Sequence, residues 1–315
     1  MLVALCGGVG AARMLSGLVR VVRPDEITAI VNVGDDMVLH GLHISPDIDT
    51  ITYTLAGMDN KETGWGVADE SWRVMEELGR LGGEDWFSLG DRDLATHLFR
   101  TGRLRAGAPL SVVTEELCRR RGVSVRLLPV TDDPVRTRLE LAEATALGPA
   151  GTEVAFQDYF VRLRHGVSVD RVRFEGADAA RPAPGVLDAL AGADTVVVCP
   201  SNPIVSVGPL LAVPGIVEAL TPRRADIIAV SPIVAGAALK GPADRLMAEL
   251  GTEPSVVGVA RLYAPWVGTL VVDEADGALA AEVEAEGLRC VVAPTVMRTD
   301  ELAAALAGVV VDASA

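Results

Sequence analysis

Leu2 to Cys6 is an unbroken apolar run, short enough to predict one buried strand, and Ile27 to Val33 predicts a second. Between them Met14, Leu15, Leu18 and Val22 recur at helical spacing, so Ala11 to Val22 predicts an amphipathic helix. Helix-like stretches follow near Ala68 to Leu78, Asp91 to Arg100 and Ser111 to Arg121, and Val123 to Leu128 predicts another strand. Strands of continuous rather than alternating apolarity, separated by helices, imply a mainly parallel sheet with helices on its faces.

The middle of the chain is less regular. Arg136 to Ala144 suits either a strand or a helix, and Ala179 to Gly185 is an Ala, Pro and Gly loop. Residues 131–190 therefore look like an insertion or cap within one domain covering 1–315, not an independent unit. The α/β pattern then resumes. Strands are expected at Thr195 to Cys199, Asp226 to Val230, Thr269 to Val272 and Arg289 to Val292; helices at Ala243 to Leu250, Ala278 to Glu286 and Glu301 to Ala307.

Composition narrows the function classes. Of 315 residues 50% are hydrophobic, enough for a substantial core. Acids number 43 against 28 bases, a net charge of −15, which argues against a general nucleic-acid or anionic-membrane binder. No apolar run is long enough to span a bilayer and no basic-then-apolar leader opens the sequence, so a cytoplasmic location is expected. Cys6, Cys118, Cys199 and Cys290 lack zinc-ligand spacing and are expected to be buried thiols.

The candidate chemistry lies in loops that follow strands. Gly7-Gly8-Val9-Gly10 stands between the first strand and helix, where glycines admit a phosphate to a helix N-terminus. Arg13 replaces the third glycine of a dinucleotide fingerprint, which weighs against a nicotinamide enzyme. After the second strand come Asn32-Val33-Gly34-Asp35-Asp36 and then Ser45-Pro46-Asp47-Ile48-Asp49-Thr50. Both groups are expected on loops, where four carboxylates could converge on a hard cation such as Mg²⁺. Capping of local turns would explain any one of them as well. Gly90-Asp91-Arg92-Asp93-Leu94-Ala95-Thr96-His97, leading to Arg100, offers an Arg–Thr–Arg face for phosphate or a solvated salt-bridged surface. Pro200-Ser201-Asn202-Pro203 with Ser206-Val207-Gly208-Pro209, and Ser231-Pro232-Ile233 with Lys240-Gly241-Pro242, complete the set. No nucleophile elbow or activated cysteine is present, so a direct, metal-assisted phospho-group transfer is expected.

Taken together and in this order, these motifs resemble the CofD family, the 2-phospho-L-lactate transferases of coenzyme F-420 biosynthesis, and most closely its actinobacterial branch. The resemblance implies a Rossmann-like α/β fold: a mainly parallel sheet, helices on both faces and an inserted cap. It implies transfer of a phosphoenolpyruvyl or 2-phospho-L-lactyl group from a guanosine-diphospho-linked acid to the deazaflavin Fo, with release of GMP. It further implies Mg²⁺ on Asp35 and Asp49, with Asp49, Asp35 and Arg92 as catalytic residues. Asp49, Ser88, Asp91 and Thr96 would meet the substrate, and Gly8, Gly10, Ser201, Asn202 and Ser206 the nucleotide. A homodimer with small-molecule substrates, and with no nucleic-acid or membrane partner, completes the expectation. The rival from another class is a non-catalytic sugar-nucleotide-binding regulator of the gluconeogenesis-factor type, which would not need the Gly90 to His97 run.

Overall fold

Seven strands form the central sheet of the computed structural model, which describes residues 1–61 and 64–313. They are β1 (Leu2–Cys6), β2 (Ile27–Val31), β3 (Arg126–Pro129), β4 (Thr195–Val198), β5 (Ile227–Val230), β6 (Thr269–Val272) and β7 (Arg289–Val292). All neighbours are parallel and the order is β7-β6-β5-β4-β1-β2-β3. Every residue of β1, β2, β5 and β6 is buried, which is why their sequences run apolar without alternation. The order reverses between β1 and β4, which makes a topological switch point, and ligands of open α/β sheets bind at such points.

Four helices matter most for the site: α1 (Gly8–Val21), α2 (Pro46–Leu55), α3 (Asp91–Arg105) and α4 (Asp300–Ala313). Helix α1 packs on α4 through Gly17, where a Cβ would stand 2.2 Å from the Ala303 carbonyl oxygen. Arg136–Leu141 is a strand, the centre of a three-stranded antiparallel sheet with Glu153–Ala155 and Val169–Glu175. This sheet has a small core of its own, with Leu139, Leu141, Val154 and Tyr159 meeting Val205 and Leu246 of the main body. A π-helical turn over Asp158–Arg162 brings its edge to the mouth of the crevice described below.

Two expectations are corrected. The helix expected from Ala68 starts at Arg73, because Val67 pairs with Asp59 and the Ala68 amide donates to the Met58 carbonyl, which holds this stretch out of a helix. Ser45 to Thr50 is not a loop: Pro46 opens α2, its fixed φ suiting a first helical position. No single helix among the described residues is long and apolar enough to cross a membrane.

Candidate active site

The loops after β1, β2, β4, β5 and β7 surround one crevice of about 970 Å³ at the C-terminal ends of the strands. Close backbone packing shapes its floor. A Cβ on Gly10 would stand 2.0 Å from the Pro200 carbonyl oxygen, and one on Gly7 would stand 2.6 Å from Ser206 Cβ. Gly8 holds φ +70, in the left-handed region. Ser201 Oγ donates to the Gly7 carbonyl at 2.7 Å and so ties the two loops together across the switch point. The Asn202 side chain caps the following turn, accepting from the Ile204 amide at 2.9 Å and the Val205 amide at 3.3 Å. Gly8, Gly10, Ser201, Asn202 and Ser206 all line the crevice.

The four carboxylates of 35–49 divide among different hydrogen-bond partners. Asp47 and Asp49 lie in the first turn of α2, and residues two apart on a helix face different ways. Asp47 turns toward the glycine loop, where the Gly8 amide favours its charged form. Fully buried Asn32 donates through Nδ2 to Asp47 at 2.9 Å and to Asp35 at 3.3 Å. Its Oδ1 is fixed by the Gly34 amide at 2.7 Å. Asp35 and Asp47 are therefore a bridged pair. Burial pushes Asp47 up to about 6, and burial together with the Asp47 charge pushes Asp35 up as well. Asp36 accepts from Ser45 Oγ at 2.8 Å, and burial raises it to about 7.

Asp49 belongs to a second network. It forms a two-armed ion pair with Arg100, whose Nη1 lies 3.0 Å from Oδ2 and whose side chain is wholly buried. His97 Nδ1 is 3.3 Å from the same Nη1, and His97 Nε2 is 3.2 Å from Asp93 Oδ1. The Tyr53 hydroxyl donates to Asp93 and lies 2.9 Å from Thr96 Oγ1. Asp49, Tyr53, Asp93 and His97 all face the crevice. Ligand atoms of Asp49, Asp93 and His97 lie within 4.8 Å of one another, but Arg100 already supplies the positive charge there.

Asp35 and Asp49, the expected metal pair, both line the crevice but have different hydrogen-bond partners, and the two carboxylates bridged by Asn32 without a basic partner are Asp35 and Asp47. Two hard oxygen donors whose ionisation is disfavoured by burial and by each other suit a divalent cation.

Other expected residues divide. Ser88 is exposed on the crevice wall. Asp91, Arg92 and Thr96 do not line the crevice. Asp91 accepts from Ser71 Oγ and from the Val74 amide, and so fixes the helix at 73–80. Arg92 is exposed and donates to the Ala68 carbonyl, and Thr96 is buried behind Tyr53 and Arg121. The Arg–Thr–Arg face expected on this helix therefore does not reach the crevice: Arg92 points out and Arg100 is consumed by Asp49.

Several lining residues had no role assigned from sequence, although Arg13 and Lys240 lie within the expected motifs. Trp65, Phe87, Phe156 and Phe160 form an aromatic margin, with Phe156 and Phe160 stacked at 5.3 Å and 12°. Arg13, Lys240 and Arg298 also line the crevice. Arg13 stands one helical turn beyond Gly10, a position readable from the glycine motif; Arg298 lies in a stretch with no pattern of its own.

The profile of the family described as 2-phospho-L-lactate transferase CofD matches residues 2–306. The chain is 47% identical over 310 residues to a protein of Kitasatospora aureofaciens named phosphoenolpyruvate transferase, covering 97% of this chain and 95% of that one. A protein of the same name from Streptomyces griseus is 46% identical over 309 residues, with 97% and 96% covered. The crystal structure of a member of the UPF0052 family from Bacillus halodurans superposes with a TM-score of 0.61 over 98% of both chains at 19% identity, a likeness of fold alone. A profile match across almost the whole length, with relatives at nearly half identity, makes this chain a member of the CofD family and a transferase of coenzyme F-420 biosynthesis.

Proposed function

We propose that the chain transfers a phosphoenolpyruvyl group from enolpyruvyl-diphospho-5′-guanosine to the ribityl hydroxyl of the deazaflavin Fo. The observation that carries this reading is a single cavity in which a glycine loop, a paired-carboxylate floor and an aromatic margin meet. The enolpyruvyl donor rather than the lactyl one follows the relatives, which are named for phosphoenolpyruvate. In the reaction the acceptor hydroxyl oxygen bonds to the phosphorus that carries the acid. The phosphoanhydride bond breaks, GMP leaves with the bridging oxygen, and the hydroxyl proton is released.

A magnesium ion would be held by Asp35 and Asp47 and would supply positive charge to the diphosphate. The remaining work falls to the chain. The glycine loop admits the phosphates to the start of α1. Asp49, held by both arms of Arg100, keeps lone pairs with which to orient the attacking hydroxyl. The aromatic margin suits a planar ring system.

The test is a titration of the purified chain with Fo, alone and with GDP plus Mg²⁺, followed by assay of GMP release with both guanylylated acids. Fo binding that strengthens with GDP, and faster turnover of the enolpyruvyl donor, are expected. A chain that binds nucleotide but not Fo would remove this reading.

A further inference from the structure

We propose that Arg13, Lys240 and Arg298 form one cationic wall that recognises the donor by its three negative groups, two phosphates and a carboxylate. The inference rests on the transferase reading and concerns which residues select the donor.

The chain carries a net charge of −15 and has only two lysines, Lys61 and Lys240. Some of its other cations are committed to ion pairs, among them Lys61 to Asp59, Arg100 to Asp49, Arg103 to Glu116, Arg173 to Glu153 and Arg261 to Glu286. Among the described residues Arg13, Lys240 and Arg298 form no ion pair, yet all three line the same cavity.

They reach it from three distant segments. Arg13 follows β1 on α1, Lys240 follows β5 and Arg298 follows β7. Lys240 crosses to the segment that bears Trp65: a Cβ on Gly64 would stand 2.4 Å from its Nζ. Asp35 and Asp47 lie after β2, on the other side of β1 from β5 and β7. The crevice thus has cations after β5 and β7 and carboxylates after β2, with Arg13 after β1 between them.

The three cations of the wall answer the three anionic groups of the donor. Fo bears no phosphate or carboxylate and gains nothing from the wall. Transfer divides the charge between two products, with the acid and one phosphate on one and the other phosphate on GMP. Each product then engages fewer of the cations than the intact donor does, which favours release.

The test is calorimetric binding of GDP, GMP, inorganic pyrophosphate and Fo to the wild type, Lys240→Gln and Arg298→Gln. Each is measured with Mg²⁺ and with EDTA, so that the wall is read apart from the metal. Both replaced residues are exposed, and Lys240→Arg serves as the conservative control. We expect each glutamine variant to lose roughly tenfold in GDP affinity, as removal of a charge-assisted contact does. The loss should be smaller for GMP and absent for Fo. Pyrophosphate should compete with GDP in the wild type, and Lys240→Arg should retain binding. GDP affinity unchanged in both variants would overturn the wall, whatever Fo does. A wild type that binds GDP through these residues but does not bind Fo would keep the wall and remove the transferase reading.

Discussion

Arg100 shows how one side chain decides what another can do. Its guanidinium is wholly buried and paired with Asp49, so deleting it strands a buried carboxylate. Arg100→Met should cost about 3–5 kcal/mol in urea unfolding, and Arg100→Met combined with Asp49→Asn should cost less than Arg100→Met alone. Asp47 acts in the opposite sense. Its carboxyl, raised by burial to about 6, binds its proton more tightly folded than unfolded. Stability should therefore fall as pH rises from about 4 through 6, by roughly 3 kcal/mol from this group. Thermal melts in EDTA should show that slope, Asp47→Asn should flatten it, and Mg²⁺ should restore stability at pH 8 but not at pH 5. The sequence named Asp35, Asp47 and Asp49, and the family resemblance paired Asp35 with Asp49, but the Asn32 bridge between Asp35 and Asp47 was not legible. The pairing depends on α2 starting at Pro46, which turns two acids two positions apart away from each other.

Elements were legible where a single period dominates. Strands β6 and β7 were expected with the bounds they have, since Leu270 to Val272 and Cys290 to Val292 are short apolar runs too brief for a helix. Val256–Tyr263 was missed as a helix: its Val-Val-Gly-Val run is apolar without helical spacing, and its start is fixed by the Ser255 cap and by the local seat of Gly258 against the Glu253 carbonyl. A close approach between distant segments governs the α1–α4 pair. Gly17→Ala gains helix propensity of up to about 1 kcal/mol but drives a Cβ into the Ala303 backbone. The net effect should be a loss of about 1–3 kcal/mol, seen as a lower urea midpoint. A midpoint that stays or rises would mean that α4 can shift at little cost.

Across the whole molecule, the glycine, acid and proline motifs could be assigned to one crevice because strand ends gather at the switch point of such a sheet. The cationic wall of that crevice was not legible, because Arg298 and Lys240 gain meaning only when three distant segments meet. The tie between the Gly8 amide and Asp47, with Asp47 bridged by Asn32 to Asp35, has a consequence for how such a site can be inherited. The glycine turn is not a portable cassette. A chimera that borrowed residues 7–13 alone would bring an amide with no carboxylate to meet it, and one that borrowed 32–47 alone would bring acids with nothing to hold them. The two segments must travel as one unit, although β2 and a helix separate them along the chain.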